Sequence, residues 1–149
     1  MLTVDRTTIR APLARVFDAA RDVERWPAIL PHYRWVRFLD DGLVEMAAWR
    51  PFGPLRYPTW WVSEMTVLPG EIRYRHVRGI TRGMDVAWRL HADGTTGDTV
   101  HVEIVHDWAG PAWPVIGRAA ADLVIGPVFV HGIASRTLAG LRRHLENAS

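Results

Sequence analysis

From His32 to Trp108 the chain carries a nearly unbroken strand pattern, and this run most limits how the 149 residues can fold. Apolar and polar residues alternate in stretches rich in valine, isoleucine, tyrosine and tryptophan. Turn signals separate them at Asp41-Gly42, Pro51 to Pro54, Pro69-Gly70, Gly79 to Gly83, Asp93 to Gly97 and Gly110-Pro111. The predicted strands are His32–Asp40, Leu43–Arg50, Thr59–Leu68, Glu71–Arg78, Met84–Ala92 and Thr99–Trp108. Short turns between successive strands imply antiparallel neighbours and a twisted, curling sheet.

The flanks read differently. Leu2 to Arg10 is β-branched and predicts a first strand. Pro12 opens a helix that runs to Arg21 or Asp22, with Leu13, Val16, Phe17 and Ala20 at helical spacing. Val23 to Leu30 predicts a second, short helix held between Trp26-Pro27 and Pro31. From Pro114 the helical period returns, with Val115–Ile125 apolar, a break at Gly126-Pro127, and a long last helix over Val128–Asn147. Val130, Ile133, Thr137, Leu138, Leu141 and Leu145 make its apolar stripe. The expected fold is α+β: one domain over 1–149, about seven antiparallel strands, two short helices after the first strand, and a C-terminal helix covering the concave face. Such an arrangement leaves a central cavity.

Composition narrows the function. The arginines behind the formal charge of +2 are dispersed, so no nucleic-acid partner is expected. There is no cysteine, which removes disulfides, thiolate metal sites and cysteine catalysis. No apolar run reaches the ~18 residues of a membrane span, the nearest, Ala119 to Ile133, being interrupted by Asp122, Gly126, Pro127 and His131, and a cytoplasmic location is expected. No phosphate loop, dinucleotide fingerprint or nucleophile elbow occurs, and no cofactor is expected. The seven histidines lack metal-ligand spacing; His101 and His106 fall on opposite strand faces. The eight tryptophans stand out. Trp49, Trp60, Trp61, Trp88, Trp108 and Trp113 fall in or beside strands, which suits an aromatic-lined cavity better than an aliphatic core.

Strand alternation sorts the faces. With Trp61 inward, Thr59, Ser63 and Met65 follow. Ile72, Tyr74 and His76 share a buried face, as do Met84, Val86, Trp88 and Leu90, and Val102, Ile104, His106 and Trp108. The polar candidates for the cavity are Tyr33, Ser63, Tyr74, His76 and His106, with Glu45 a further one. Each also suits a purely structural role, a tyrosine or histidine satisfied within a core.

These features resemble the START-like helix-grip (SRPBCC) superfamily, most closely its branch of polyketide cyclases/dehydrases and coenzyme Q-binding proteins. The resemblance rests on Ile9-Arg10-Ala11-Pro12 before Val16-Phe17-Asp18, and above all on Asp22-Val23-Glu24-Arg25-Trp26-Pro27 followed by Leu30-Pro31-His32-Tyr33. It continues through Trp61-Val62-Ser63 and Trp88 to Arg136. It implies a ligand-binding cavity that includes Trp26, Tyr33, Trp61, Ser63 and Trp88. In cyclases of the family, an arginine two residues after that serine polarises a carbonyl; Met65 stands there. An asparagine of the final helix is likewise missing from Val130-His131-Gly132.

The expected function is binding of a hydrophobic small molecule such as a polyketide, quinone or lipid. The expected ligand contacts are Trp26, Tyr33, Trp49, Trp61, Ser63, Met65, Tyr74, Trp88 and Trp108. The alternative is a polyketide cyclase or dehydratase using Tyr33, His76 or His106 as acid or base. A stress- or toxin-associated protein acting through partners is a third reading, and a homodimer is compatible with the sequence.

Overall fold

The computed structural model describes residues 1–52, 54–94, 96–110 and 130–147, with the side chains at 41, 51, 52 and 57 left aside. The expected Val115–Ile125 helix, the Gly126-Pro127 break and Trp113 lie outside the described residues. Seven strands form one sheet among the described residues: β1 (Leu2–Ile9), β2 (Tyr33–Phe38), β3 (Leu43–Phe52), β4 (Leu55–Leu68), β5 (Glu71–Gly79), β6 (Asp85–Ala92) and β7 (Val100–Asp107). Their order is β1-β7-β6-β5-β4-β3-β2, antiparallel at every step.

The first two strands therefore occupy opposite edges of the sheet. The helical segment between them, α1 (Leu13–Arg21), a 3₁₀ turn (Val23–Arg25) and α2 (Trp26–Ile29), carries the chain from one edge to the other. Helix α3 (His131–Asn147) packs against β1, α1, α2 and β3. Its buried stripe of Ile133, Ala134, Thr137, Leu138, Leu141 and Leu145 faces the sheet. Over the described residues, fold class and element order agree with the sequence reading.

Several boundaries differ. Pro12 lies just before α1 as its N-cap, with extended backbone. The expected Val23–Leu30 helix is a 3₁₀ turn followed by one α-turn, with Pro27 in its opening turn. The largest correction concerns the β3–β4 hairpin. Pro51 and Phe52 belong to β3, and β4 begins at Leu55, so that Trp49 pairs with Pro58 and Phe52 with Leu55. Proline is excluded from central strands because it cannot donate to the ladder. Here β2 pairs with β3 only as far as Ala48, and β5 pairs with β4 only from Trp61 onward. Beyond those points both strands are edges, where Pro51 and Pro58 cost no hydrogen bond.

Two register shifts matter to the interior. Between β2 and β3, Tyr33 pairs with Ala48 but Trp35 with Ala47, which leaves Arg34 as an extra residue. Between β4 and β5, Val62 pairs with Arg78 and Ser63 with His76, which leaves Val77 extra. Bulges bend a strand and redirect its side chains; these two lie next to Tyr33 and His76. Gly79 closes the second irregularity at φ 105°, where a Cβ would come within 2.6 Å of the Trp60 carbonyl oxygen. Only glycine fits there.

Candidate ligand cavity

The opening of α2 places Trp26 under the sheet. Its indole N–H donates to the Ala19 carbonyl (3.1 Å), which locks the ring between the two helical pieces. Trp26 meets Tyr33 edge-on at 5.2 Å between ring centroids and Trp88 at 5.5 Å. Tyr33 in turn meets Trp61 at 6.3 Å, and Trp61 stacks on His76 at 5.8 Å. A continuous aromatic wall thus runs across β6, α2, β2, β4 and β5.

This wall faces Met46, Val86 and Ile104 of the sheet, Met84 just before β6, and Ile133, Ala134 and Thr137 of α3. The free volume enclosed is about 60 Å³. It is well below the ~300 Å³ at which small-molecule pockets begin.

Polar groups are few and converge. Tyr74, His76, Thr81, His106, Arg50 and Thr137 all line the space. His76 Nδ1 and Thr81 Oγ1 share a hydrogen bond of 2.7 Å. Tyr74 Oη, His106 Nδ1 and the neighbouring Ser63 Oγ are buried without a partner among the described residues. Burial depresses all three inner histidines, so they are neutral at pH 7. His76 falls to about 3, through desolvation and then the Arg50 charge. His106 falls to about 3, through desolvation, then His76, then Arg50. His32 falls to about 4, through desolvation and the charges of Arg136 and Arg50. Desolvation pushes the Tyr33 phenol up to about 12, against a Thr137 hydrogen bond and Arg50, and holds Tyr74 well above its ordinary value.

Arg50 was not among the sequence candidates. It is 5% exposed, donates from Nε to Thr59 Oγ1 (3.1 Å) and lies over the Trp61 ring at 5.7 Å. The expected strand Leu43–Arg50 includes this residue, but the sequence reading sorts no faces along that strand. Alternation along Val44, Met46 and Ala48, all buried, points Arg50 inward as well. The position where the resemblance leads one to expect an arginine holds Met65, yet β3 supplies a guanidinium to the same cavity.

Of the expected ligand contacts, Trp26, Tyr33, Trp61, Tyr74 and Trp88 line the cavity, as do the acid-base candidates His76 and His106. Ser63 is fully buried beside it, paired with Val44 and His76. Three others are elsewhere. Trp49 is on the outer side of β3, with Arg34 and Arg56 over its ring at 4.7 and 4.5 Å. Met65 lies near Asp18, Arg21 and Phe38 in a separate surface hollow. Trp108 is buried past the end of β7, its indole N–H on the Arg82 carbonyl (3.0 Å). Glu45 is outside, bonded to Arg37 and to the Trp60 indole N–H (3.0 Å). Among the described residues, no cluster of three or more acidic or histidine side chains could hold a metal, and no helix is long and apolar enough to cross a membrane.

Solved structures share this architecture. A START superfamily protein from Mycobacterium smegmatis superposes with a TM-score of 0.74 at 11% identity, covering 99% of each chain. The protein TTHA0849 from Thermus thermophilus gives 0.72 at 15%, covering 100% of this chain and 99% of that one. The Zhui aromatase/cyclase from Streptomyces sp. R1128 gives 0.67 at 19%, covering 97% and 95%. At these identities the likeness shows the fold alone. No curated protein matches the sequence. The profile of the family described as "Polyketide cyclase / dehydrase and lipid transport" matches residues 9–127, most of the chain. With the helix-grip fold and the Trp26-Pro27 to Tyr33 segment in place, the chain belongs to that family.

Proposed function

We propose that the chain binds a hydrophobic small molecule bearing a carbonyl or enolate oxygen, of the polyketide, quinone or lipid type, in the aromatic cavity. One observation carries this reading. Tyr74 Oη and His106 Nδ1 are buried against the cavity with no partner among the described residues. Leaving such a group unpaired costs ~1–3 kcal/mol. Tyr74 is a neutral phenol and can donate; Arg50 adds a charged donor on the same wall. Together they suit a ligand oxygen, while the rings of Trp26, Tyr33, Trp61 and Trp88 suit an apolar body. The free volume requires a ligand of that size to push the wall back. Met46 and Met84, unbranched and with several rotamers, are the side chains best able to yield.

Arg50 also favours a second reading, ring closure in a bound polyketide. A buried guanidinium beside a carbonyl would stabilise the enolate formed on the way. The acid-base groups suit that chemistry less well. A general base works best with a pKa near the working pH, whereas His76 and His106 fall near 3 and Tyr33 rises near 12. Simple binding is therefore the primary reading.

Calorimetry with menadione and naphthalene tests the polar contact. Arg50→Met should weaken menadione about tenfold or more, the loss of one charge-assisted hydrogen bond of ~1.5–3 kcal/mol. Naphthalene affinity should change less than about threefold by the same reasoning. Equal changes for both ligands would remove Arg50 from the binding account.

A further inference from the structure

A second concavity lies outside the cavity. It is lined by Leu30, Pro31, His32, Trp49, Arg56, Arg136 and Arg143, with Ala139 and Gly140, and has a volume of about 380 Å³. Gly140 lies on its floor, where a Cβ would fall 2.5 Å from Leu30 Cδ2 and the Leu30 side chain would have to turn away. No carboxylate lines the groove, and Arg56, Arg136 and Arg143 form no ion pair among the described residues. Most other exposed arginines of the sheet do: Arg6, Arg37, Arg73, Arg75 and Arg89 each meet a carboxylate.

The groove and the cavity share a partition. His32 faces the groove and Thr137 faces the cavity, and His32 Nε2 lies 2.9 Å from Thr137 Oγ1. Thr137 gives its own proton to the Ile133 carbonyl (2.8 Å), so it accepts here and His32 donates. This hydrogen bond thus joins a residue lining the cavity to a residue lining the groove. Guanidinium groups match the planar oxygens of carboxylates and phosphates and bind them with paired N–H donors.

We propose that this groove is the head-group site of the cavity's ligand, which is then an anionic amphiphile. Its apolar body sits among Trp26, Tyr33, Trp61 and Trp88. Its terminal carboxylate or phosphate passes the His32–Thr137 partition and lies among Arg56, Arg136 and Arg143. This inference rests on the cavity being a ligand site, and it adds the class of ligand and a second contact region. The body and head bind through different forces, so they are separable by experiment.

Calorimetry in low-salt buffer with 4-phenylbutyrate, 4-phenylbutyl phosphate, 4-phenylbutanol and inorganic phosphate makes the test. The two anionic amphiphiles should bind at least about tenfold tighter than the alcohol, a difference of roughly 1.4 kcal/mol. The preference should shrink as salt is raised, because the groove is open to solvent. The triple substitution R56Q/R136Q/R143Q should bring the anions to the alcohol's affinity and leave the alcohol unchanged; Arg15→Gln, on the exposed side of α1, should keep the preference. Arg136→Gln alone should remove part of it, in case the triple variant folds poorly. Alcohol and anions binding equally, or a preference that survives in the substituted proteins, would overturn the head-group site and leave the cavity standing. Inorganic phosphate binding as tightly as phenylbutyl phosphate would make the groove an independent phosphate site and overturn it too. Failure of all four to bind would take the cavity reading down with it.

Discussion

Acidifying the protein from pH 6.5 to pH 5 should destabilise it steeply, well before its carboxylates protonate. His32 and His76 are buried, His106 is half-buried with Nδ1 enclosed, and all three are neutral, with folded values of about 4, 3 and 3 against an ordinary 6.5. A histidine depressed in the folded state contributes stability that is fully present above 6.5. That stability is lost as the pH falls toward the folded value, because the unfolded chain takes up a proton that the folded one refuses. Each such group adds a slope of ~1.4 kcal/mol per pH unit, and three together approach ~4. A domain of this size has ~5–15 kcal/mol in all. Urea unfolding at pH 6.5, 6.0, 5.5 and 5.0 measures the slope. His106→Gln should lower it by about one proton's worth. A flat profile over this interval, or a His106→Gln profile parallel to the wild type, would mean that these rings are more solvated than the structure shows.

Trp26→Ala should be among the most damaging single substitutions. Trp26 is 2% exposed and touches both Tyr33 and Trp88, so its removal opens a hole in the centre of the aromatic wall. Buried Trp-to-Ala changes cost ~3–5 kcal/mol. For about 150 residues this corresponds to a fall in Tm of roughly 10 °C or more. The Ala19 hydrogen bond goes as well, and with it the tie between α1 and α2. Trp26→Phe loses that bond and about a third of the ring atoms, so its cost should be smaller, ~1–3 kcal/mol. Thermal unfolding of the two variants decides the point. A cost below ~1 kcal/mol for Trp26→Ala would show that the wall closes over the gap without it.

The parts of this structure legible in the sequence are those governed by period two and by strong turn residues. The inward sets of β5, β6 and β7 follow from alternation alone, and Tyr74, His76, Trp88 and His106 fall where that rule puts them. What failed was the treatment of strand ends. Pro51 and Phe52 read as part of the loop Pro51-Phe52-Gly53-Pro54, because proline is normally barred from a sheet interior. Nothing local reveals that β3 and β4 run on as edges past their neighbours. Leaving the faces of Leu43–Arg50 unsorted hides Arg50, the cavity's guanidinium, and places Trp49 inside when its parity puts it out. Met65 and Trp108 lie on strand faces read correctly, but too far along their strands to reach the cavity. Alternation gives the face of a residue and says nothing about its height above a pocket. The groove of Arg56, Arg136 and Arg143 was invisible for a different reason: it joins β4 to α3, far apart in sequence, and only tertiary packing brings them together.

The central claim is that the chain carries a ligand between its aromatic wall and α3. Ala134, 2% exposed on α3, faces that space, and a phenyl ring at this position would fill it. The most direct test is native mass spectrometry of protein purified from its own host, comparing the wild type with Ala134→Phe. The expected result is a co-purifying small molecule with an apolar body on the wild type, absent from a folded Ala134→Phe protein. Wild-type protein that carries no ligand, or a ligand that stays bound when the space is filled, would contradict the account.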